Sequence, residues 1–106
     1  MANMETVHMD AMKKHSKEQF ESFLEYRKVV SKIEGEKIPE KTRELIKFGI
    51  ACTLRSAPAM LSHAESSLKA GVSKEELLTV LTFLQSMGGM AVYREAIVVL
   101  ADFFDM

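Results

Sequence analysis

The apolar side chains of this sequence recur every three or four residues along almost the whole chain, which is the spacing of a helix face. No stretch alternates polar and apolar residues for long enough to form a β-strand. The pattern is interrupted chiefly at the two prolines, Pro39 and Pro58, and at most of the five glycines. We therefore predict an all-α fold whose helices end at these interruptions.

The interruptions divide the chain into six predicted helices, over about residues 4–14, 17–33, 39–55, 58–70, 74–87 and 90–104. Gly35 and Gly71 are expected to end the second and fourth helices, because glycine tolerates the left-handed conformation that often follows a helix. Pro39 suits the first position of the third helix, where its missing N–H is not needed. Two capping-box pairs, which satisfy unpaired backbone donors, open the second and fifth helices: Ser16 with Gln19, and Ser73 with Glu76.

Length and charge narrow the classes of protein to which the chain can belong. Its 106 residues suit a single domain, which we divide into N-terminal helices over 1–35 and a helical core over 36–106. Fourteen basic and 15 acidic residues leave a net charge of −1, which argues against a nucleic-acid-binding surface. The apolar run at 96–101 is far shorter than the ~20 residues of a membrane span, so no membrane partner is expected.

Cysteine content and the first residues predict a cytoplasmic protein. A single cysteine excludes an internal disulfide, and no basic stretch followed by an apolar one indicates a signal peptide. No cluster of cysteine and histidine has the spacing of a zinc site, and no glycine-rich loop follows a strand. We therefore expect neither a metal nor a cofactor.

Two of the predicted helices are too apolar for a domain of this size to cover. In 74–87 the polar side chains form one narrow stripe, and in 90–104 the charges are nearly confined to Arg94, Glu95 and Asp102. A helix that is apolar almost all round has to be buried, yet a small domain leaves much of its surface exposed. We expect copies of the same chain to cover these helices in a symmetric homo-oligomer.

Cys52, His63 and Glu44 are the candidate catalytic residues. If the chain folds back at the break around its second proline, His63 lies level with Ala51 or Cys52, and an imidazole there can activate the thiol. The alternative is that Cys52 is an inert core residue, as thiols in an apolar run usually are. In such a hairpin Glu44 lies about 10 Å from the level of His63, at about 1.5 Å per residue. Glu44 instead suits a solvated pair with Lys47.

An ordered series of segments resembles a known family. The segments are Lys-Thr-Arg-Glu-Leu-Ile at 41–46, then His63, then Leu-Lys-Ala-Gly-Val-Ser-Lys-Glu-Glu-Leu at 68–77, and Gly-Gly at 88–89. Together they resemble the carboxymuconolactone decarboxylase family, which includes the alkylhydroperoxidase (AhpD-like) proteins. The resemblance covers about residues 36–104. It implies an AhpD-like helical domain that binds a small molecule and assembles as a homotrimer or homohexamer.

The resemblance also implies a site that has lost its thiols. Redox members of the family carry a glutamate, a CxxC motif opening a helix, and a histidine four residues after the second cysteine. The glutamate falls on Glu44 and the histidine on His63, while the cysteine positions fall on Ser56 and Ala59. Neither of these residues supports sulfenic acid chemistry, so we expect no thiol peroxidase activity. The alternative is a peroxidase that acts through Cys52.

The decarboxylases of the family also lack CxxC and keep the histidine. By resemblance, His63 would donate a proton, and Arg55 or Arg43 would hold a substrate carboxylate beside Ser56. We therefore expect acid–base chemistry, or binding, of a small carboxylated molecule, as in a carboxy-lyase. A non-catalytic ligand-binding or scaffolding oligomer is the third alternative, and a buried His63 bonded only to backbone would favour it.

Overall fold

The computed structural model describes residues 6–106, and these residues form six α-helices and no strand. The predicted all-α fold is therefore confirmed. The helices are α1 (Val7–His15), α2 (Lys17–Lys37), α3 (Glu40–Thr53), α4 (Ala57–Lys69), α5 (Lys74–Gly88) and α6 (Met90–Leu100). Residues 4 and 5, which begin the first predicted helix, lie outside the described range. None of the helices described is long and apolar enough to cross a membrane.

The second helix extends further than predicted. Gly35 lies inside α2 and has no positive φ, so the expectation that it ends the helix is wrong. The helix continues to Lys37, and Ile38 then takes the extended conformation (φ −114°, ψ 124°) that a following proline favours. Pro39 precedes α3 instead of being its first residue.

Left-handed residues close three of the helical segments. They are Arg55 after α3, with φ 58°, Gly71 after α4, with φ 93°, and Asp105 after α6, with φ 60°. In each case two backbone amides, that of the left-handed residue and that of the residue after it, donate hydrogen bonds to carbonyl groups of the preceding turn. These bonds satisfy carbonyl groups at the helix end. The role predicted for Gly71 is confirmed. The last helix ends at Leu100, and turns replace its predicted continuation to residue 104.

Residues up to Pro39 form the first of two compact units. The Ser16 hydroxyl accepts a hydrogen bond of 3.2 Å from the Gln19 amide, which is one half of the predicted capping box. α1 folds back along α2, with the His8 ring edge-on to Phe23 at a centroid distance of 6.0 Å. No residue of these two helices is buried.

The second unit, Glu40–Met106, contains the hydrophobic core. α3 packs against α4, α5 and α6, and α6 also packs against α4 and α5. All four helices contribute side chains with no exposed surface: Phe48 and Cys52 from α3, Ala64 and Ser67 from α4, Leu77 and Leu81 from α5, and Ala96 and Leu100 from α6. α3 is thus the helix around which this unit is assembled.

The carboxylate of Glu76 caps the start of α5 and also forms an ion pair with α3. The Ser73 hydroxyl accepts from the Glu76 amide at 3.0 Å, and the Glu76 carboxylate accepts from the Ser73 amide at 3.1 Å, so the predicted capping box is confirmed. The same carboxylate lies 3.2 Å from Nζ of Lys41. The backbone hydrogen bond from Ser73, and then Lys41, lower the pKa of Glu76.

This lowered pKa predicts an acid-sensitive contact. A carboxylate with a depressed pKa stabilises the fold above its ordinary pKa, and the contribution is lost as pH falls through the folded-state value. Glu76→Gln keeps an acceptor for the Ser73 amide but removes the charge. We expect a lower urea midpoint than wild type at pH 7, and a difference that disappears below the folded-state pKa. Glu75→Gln, in the same helical turn, is the control. A difference that stays constant with pH would contradict the assignment.

Candidate functional site

Glu44 and His63 meet within one chain. Nδ1 of His63 lies 3.3 Å from Oε2 of Glu44, across the packed pair α3 and α4. The Glu44 side chain is 15% exposed and that of His63 is 31% exposed. The carboxylate is thus mostly screened from water, while part of the imidazole remains within reach of a ligand.

The turn between α3 and α4 explains why this contact was not predicted. The expected hairpin was centred near Pro58, but α3 ends at Thr53 and α4 begins at Ala57, so the chain reverses about two residues earlier. Glu44 is nine residues from the end of α3, and His63 is six residues from the start of α4. The remaining offset of three residues is about 4.5 Å of helix rise, less than half of the predicted separation.

The protonation of the imidazole follows from its partner. An ionised carboxylate can only accept hydrogen bonds, so the form of His63 that bonds to an ionised Glu44 is the one with a hydrogen on Nδ1. In the neutral ring, Nε2 then has a lone pair that can accept a proton. In the charged ring, Glu44 faces a cation and Nε2 becomes a donor. A histidine held in this way can both take up and release a proton.

Ser56 and Ala59, which the family resemblance matched with the cysteines of redox members, lie on the same side of α4 as His63. Ser56 is the N-cap of α4, and Ala59 and His63 follow at intervals of three and four residues, which is the spacing of one helix face. Both residues are half-buried. The Ser56 side chain makes no capping hydrogen bond to the helix, so its hydroxyl is not committed there.

Ser67 supports this part of α4 and was not singled out from the sequence. Its side chain is fully buried, and its hydroxyl donates a 2.6 Å hydrogen bond to the backbone carbonyl of His63. Many serines in helices donate a hydrogen bond to the carbonyl four residues earlier, whether they are exposed or buried. The sequence does not show which of them is buried, because burial depends on how α4 packs. No pattern in the chain distinguishes it from Ser62 or Ser66.

Cys52 lies in the hydrophobic core and has no exposed surface. Burial raises the pKa of its thiol from the ordinary 9.0 to about 11. The reactive form of cysteine is the thiolate, and this shift makes the thiolate about a hundredfold rarer at neutral pH than in an ordinary cysteine. The environment is that of the inert core thiol, and it weighs against the catalytic role of Cys52.

The two predicted carboxylate-binding arginines lie in different places. Arg55 is in the turn after α3, and its Nε lies 2.8 Å from Oε2 of Glu95 on α6. Arg43 directly precedes Glu44 on α3 and is half-buried. Glu95 was noted in the sequence only as one of the few charges in its helix, because forty residues of chain separate it from Arg55.

The alternatives for Glu44 and His63 can now be compared with the geometry. Glu44 is mostly buried and bonded to His63, so it does not have the exposure of a solvated surface carboxylate. His63 bonds to a carboxylate and is partly exposed, which differs from the buried, backbone-bonded histidine expected of a scaffold. Within residues 6–106, no three His, Cys, Asp or Glu side chains are grouped as metal ligands.

A known protein family matches most of the chain. The model of the carboxymuconolactone decarboxylase family matches residues 17–102, which is most of the chain. The protein belongs to the carboxymuconolactone decarboxylase family. The match begins at the start of α2, well before residue 36, where the resemblance was expected to begin. Searches of curated proteins and of solved structures found no significant match.

The burial of Cys52 predicts a slow thiol. We expect an aromatic disulfide reagent to modify the native protein at least about a hundredfold more slowly than the urea-unfolded chain, since the raised pKa and the lack of access both oppose reaction. The control is Thr53→Cys in a Cys52→Ala background, which puts an exposed thiol at the next position of α3. If the native thiol of Cys52 reacted as fast as that control, its assignment as inert would be contradicted.

Proposed function

We propose that this protein catalyses acid–base chemistry on a small carboxylated molecule, with His63 as the proton carrier and Glu44 as its partner. The observation that carries the proposal is the 3.3 Å contact between these two side chains. A decarboxylation of the kind named by the family is the reaction this pair suits best. Thiol peroxidase chemistry is not proposed, because Ser56 and Ala59 occupy the two cysteine positions.

The proton balance of a decarboxylation suits a histidine. When a substrate carboxylate leaves as CO₂, the bonding electron pair passes to the neighbouring carbon and into a conjugated carbonyl, such as that of a lactone. The carbon must then take up one proton. The imidazolium of His63 can supply it from Nε2 while Glu44 stabilises the charged ring at Nδ1. Solvent then reprotonates His63, and no oxidant or reductant is needed.

The start of α4 supplies a place for the substrate's negative charge. Ser56 caps this helix without a side-chain hydrogen bond, and Ala57 and Ala59 have amides in the first turn, while Pro58 between them has no N–H. These amides and the helix dipole favour an anion at this end. Ser56 and His63 share one face of α4, so a carboxylate held by Ser56 would lie on the same side as the proton donor.

We also propose that the protein acts as a homo-oligomer in the cytoplasm, as a homotrimer or homohexamer. The support is the exposed apolar surface of the two helices whose composition first suggested a partner. Phe83 and Met87 on α5 are 63% and 88% exposed, and Met90 on α6 is 51% exposed. Phe83 and Met87 are four residues apart on one face of α5, and apolar side chains exposed together in this way are typical of protein interfaces.

Replacement of the proton carrier is the direct test. We expect wild type to release CO₂ from a member of a panel of carboxylated lactones, and His63→Ala to lower kcat by roughly 10²–10⁴, the usual contribution of a general acid. Glu44→Gln should also lower kcat, while Cys52→Ala should retain the wild-type rate. Helix content and urea midpoints of each variant check that the fold is kept. Activity that survives His63→Ala but not Cys52→Ala would overturn the proposal.

A gain-of-function variant tests the loss of the redox motif. We expect the double variant Ser56→Cys, Ala59→Cys to reduce a hydroperoxide, since one thiolate would attack the peroxide oxygen and the other would resolve the sulfenic acid as a disulfide. A dithiol reductant would then restore both thiols. The controls are wild type and Ser56→Cys alone, both expected to be inactive. Wild-type peroxidase turnover abolished by Cys52→Ser would show instead that the native thiol is the active one.

A further inference from the structure

A shallow cavity of about 310 Å³, open to solvent, lies in the second unit, and neither Glu44 nor His63 lines it. It is lined by Arg55 from the α3–α4 turn, Met60 from α4, and Arg94, Glu95, Val98 and Val99 from α6. Its volume falls at the lower end of the range of about 300–1,000 Å³ for small-molecule sites. The cavity therefore has room for a small organic molecule.

The lining combines apolar side chains with an unbalanced charge. The two arginines carry two positive charges, and Glu95 supplies one negative charge. Glu95 is paired with Arg55 at 2.8 Å, and the guanidinium of Arg94 has no ion-pair partner within residues 6–106. A guanidinium binds carboxylates with paired hydrogen bonds, so an unpaired one beside apolar walls favours an organic anion.

Arg55 takes a left-handed backbone conformation in the turn that borders the cavity. Arg55 has φ 58°, a left-handed conformation in which glycine is favoured and most other residues are strained. Gly71 takes the equivalent position after α4, at φ 93°. Arg55 holds this strained conformation in the native turn. Its guanidinium is half-exposed and lies at the cavity.

We propose that this cavity binds a small organic carboxylate. The carboxylate contacts Arg94 and competes with Glu95 for the guanidinium of Arg55. The short apolar body of the ligand lies against Met60, Val98 and Val99. This site goes beyond the proposed reaction, because neither Glu44 nor His63 lines the cavity.

Titration of the full chain with a model ligand tests the proposal. The probe is sodium hexanoate, followed by the backbone amide NMR signals of the residues that line the cavity. 1-Hexanol, which lacks the charge, and sodium phosphate, which lacks the apolar body, are the matched ligand controls. We expect saturable shifts at these amides with hexanoate, and at least about tenfold weaker binding of either control.

Two variants are expected to change affinity in opposite directions. Arg94→Gln should weaken hexanoate binding about tenfold or more, because it removes a charged hydrogen-bond donor. Glu95→Gln should tighten binding, because it leaves Arg55 available, and a damaged fold cannot give that result. Arg27→Gln, on α2, is the arginine control and should bind like wild type.

Three outcomes would overturn the proposal. They are equal binding of hexanoate and 1-hexanol, unchanged affinity in Arg94→Gln, and cavity signals that depend on protein concentration but not on hexanoate. The last result would assign the cavity to a contact between copies of the chain. His63→Ala should retain hexanoate binding, so failure of the proposed reaction and failure of this site are distinguished by separate measurements.

Discussion

The packing of α3 against α4 is the constraint on which the candidate site depends. The two helices are joined by a turn of three residues, and the amide of Ser56 is bonded to the carbonyl of Ala51 at 3.1 Å. Small buried side chains on the two helices, Ala51 and Ala64, permit close packing. One residue inserted into α4 ahead of His63 would move that side chain by about 1.5 Å along the helix and by about 100° around it, which would separate His63 from Glu44.

One face of α3 carries both the buried thiol of Cys52 and the carboxylate of Glu44 that contacts His63. Glu44, Phe48 and Cys52 are spaced four residues apart, so they follow one stripe along the helix. Phe48 and Cys52 lie where this stripe crosses the core, and both have no exposed surface. Glu44 lies one turn earlier, at the edge of the core, where a carboxylate keeps contact with water and still packs against α4. The position of each side chain along this stripe thus determines its exposure: Cys52 is out of reach of a ligand, and Glu44 is partly exposed.

Local signals in the sequence predicted the local structure well. The pairing of Ser73 with Glu76, and Gly71 as a left-handed end, depend only on neighbouring residues and were confirmed. The prediction that Gly35 ends α2 was wrong, because the proline at 39 offers a second possible end and the helix continues to it. The contact between Glu44 and His63 depends on the hairpin register. When the centre of a hairpin moves by two residues, the residue that faces a given position changes by four. An error of two residues in the position of the turn was therefore enough for the contact to be missed.

The ion pair of Arg55 with Glu95 bears on how the proposed reaction holds its substrate. The sequence made Arg55 a candidate ligand for the substrate carboxylate, yet its guanidinium is bonded to α6. Use of Arg55 at His63 would require breaking a 2.8 Å charged contact and turning the side chain out of its cavity. Ser56 and the first amides of α4 need no such rearrangement, because they already lie on the helix that carries His63. We therefore assign the binding of the substrate carboxylate in the proposed reaction to the start of α4 and not to Arg55.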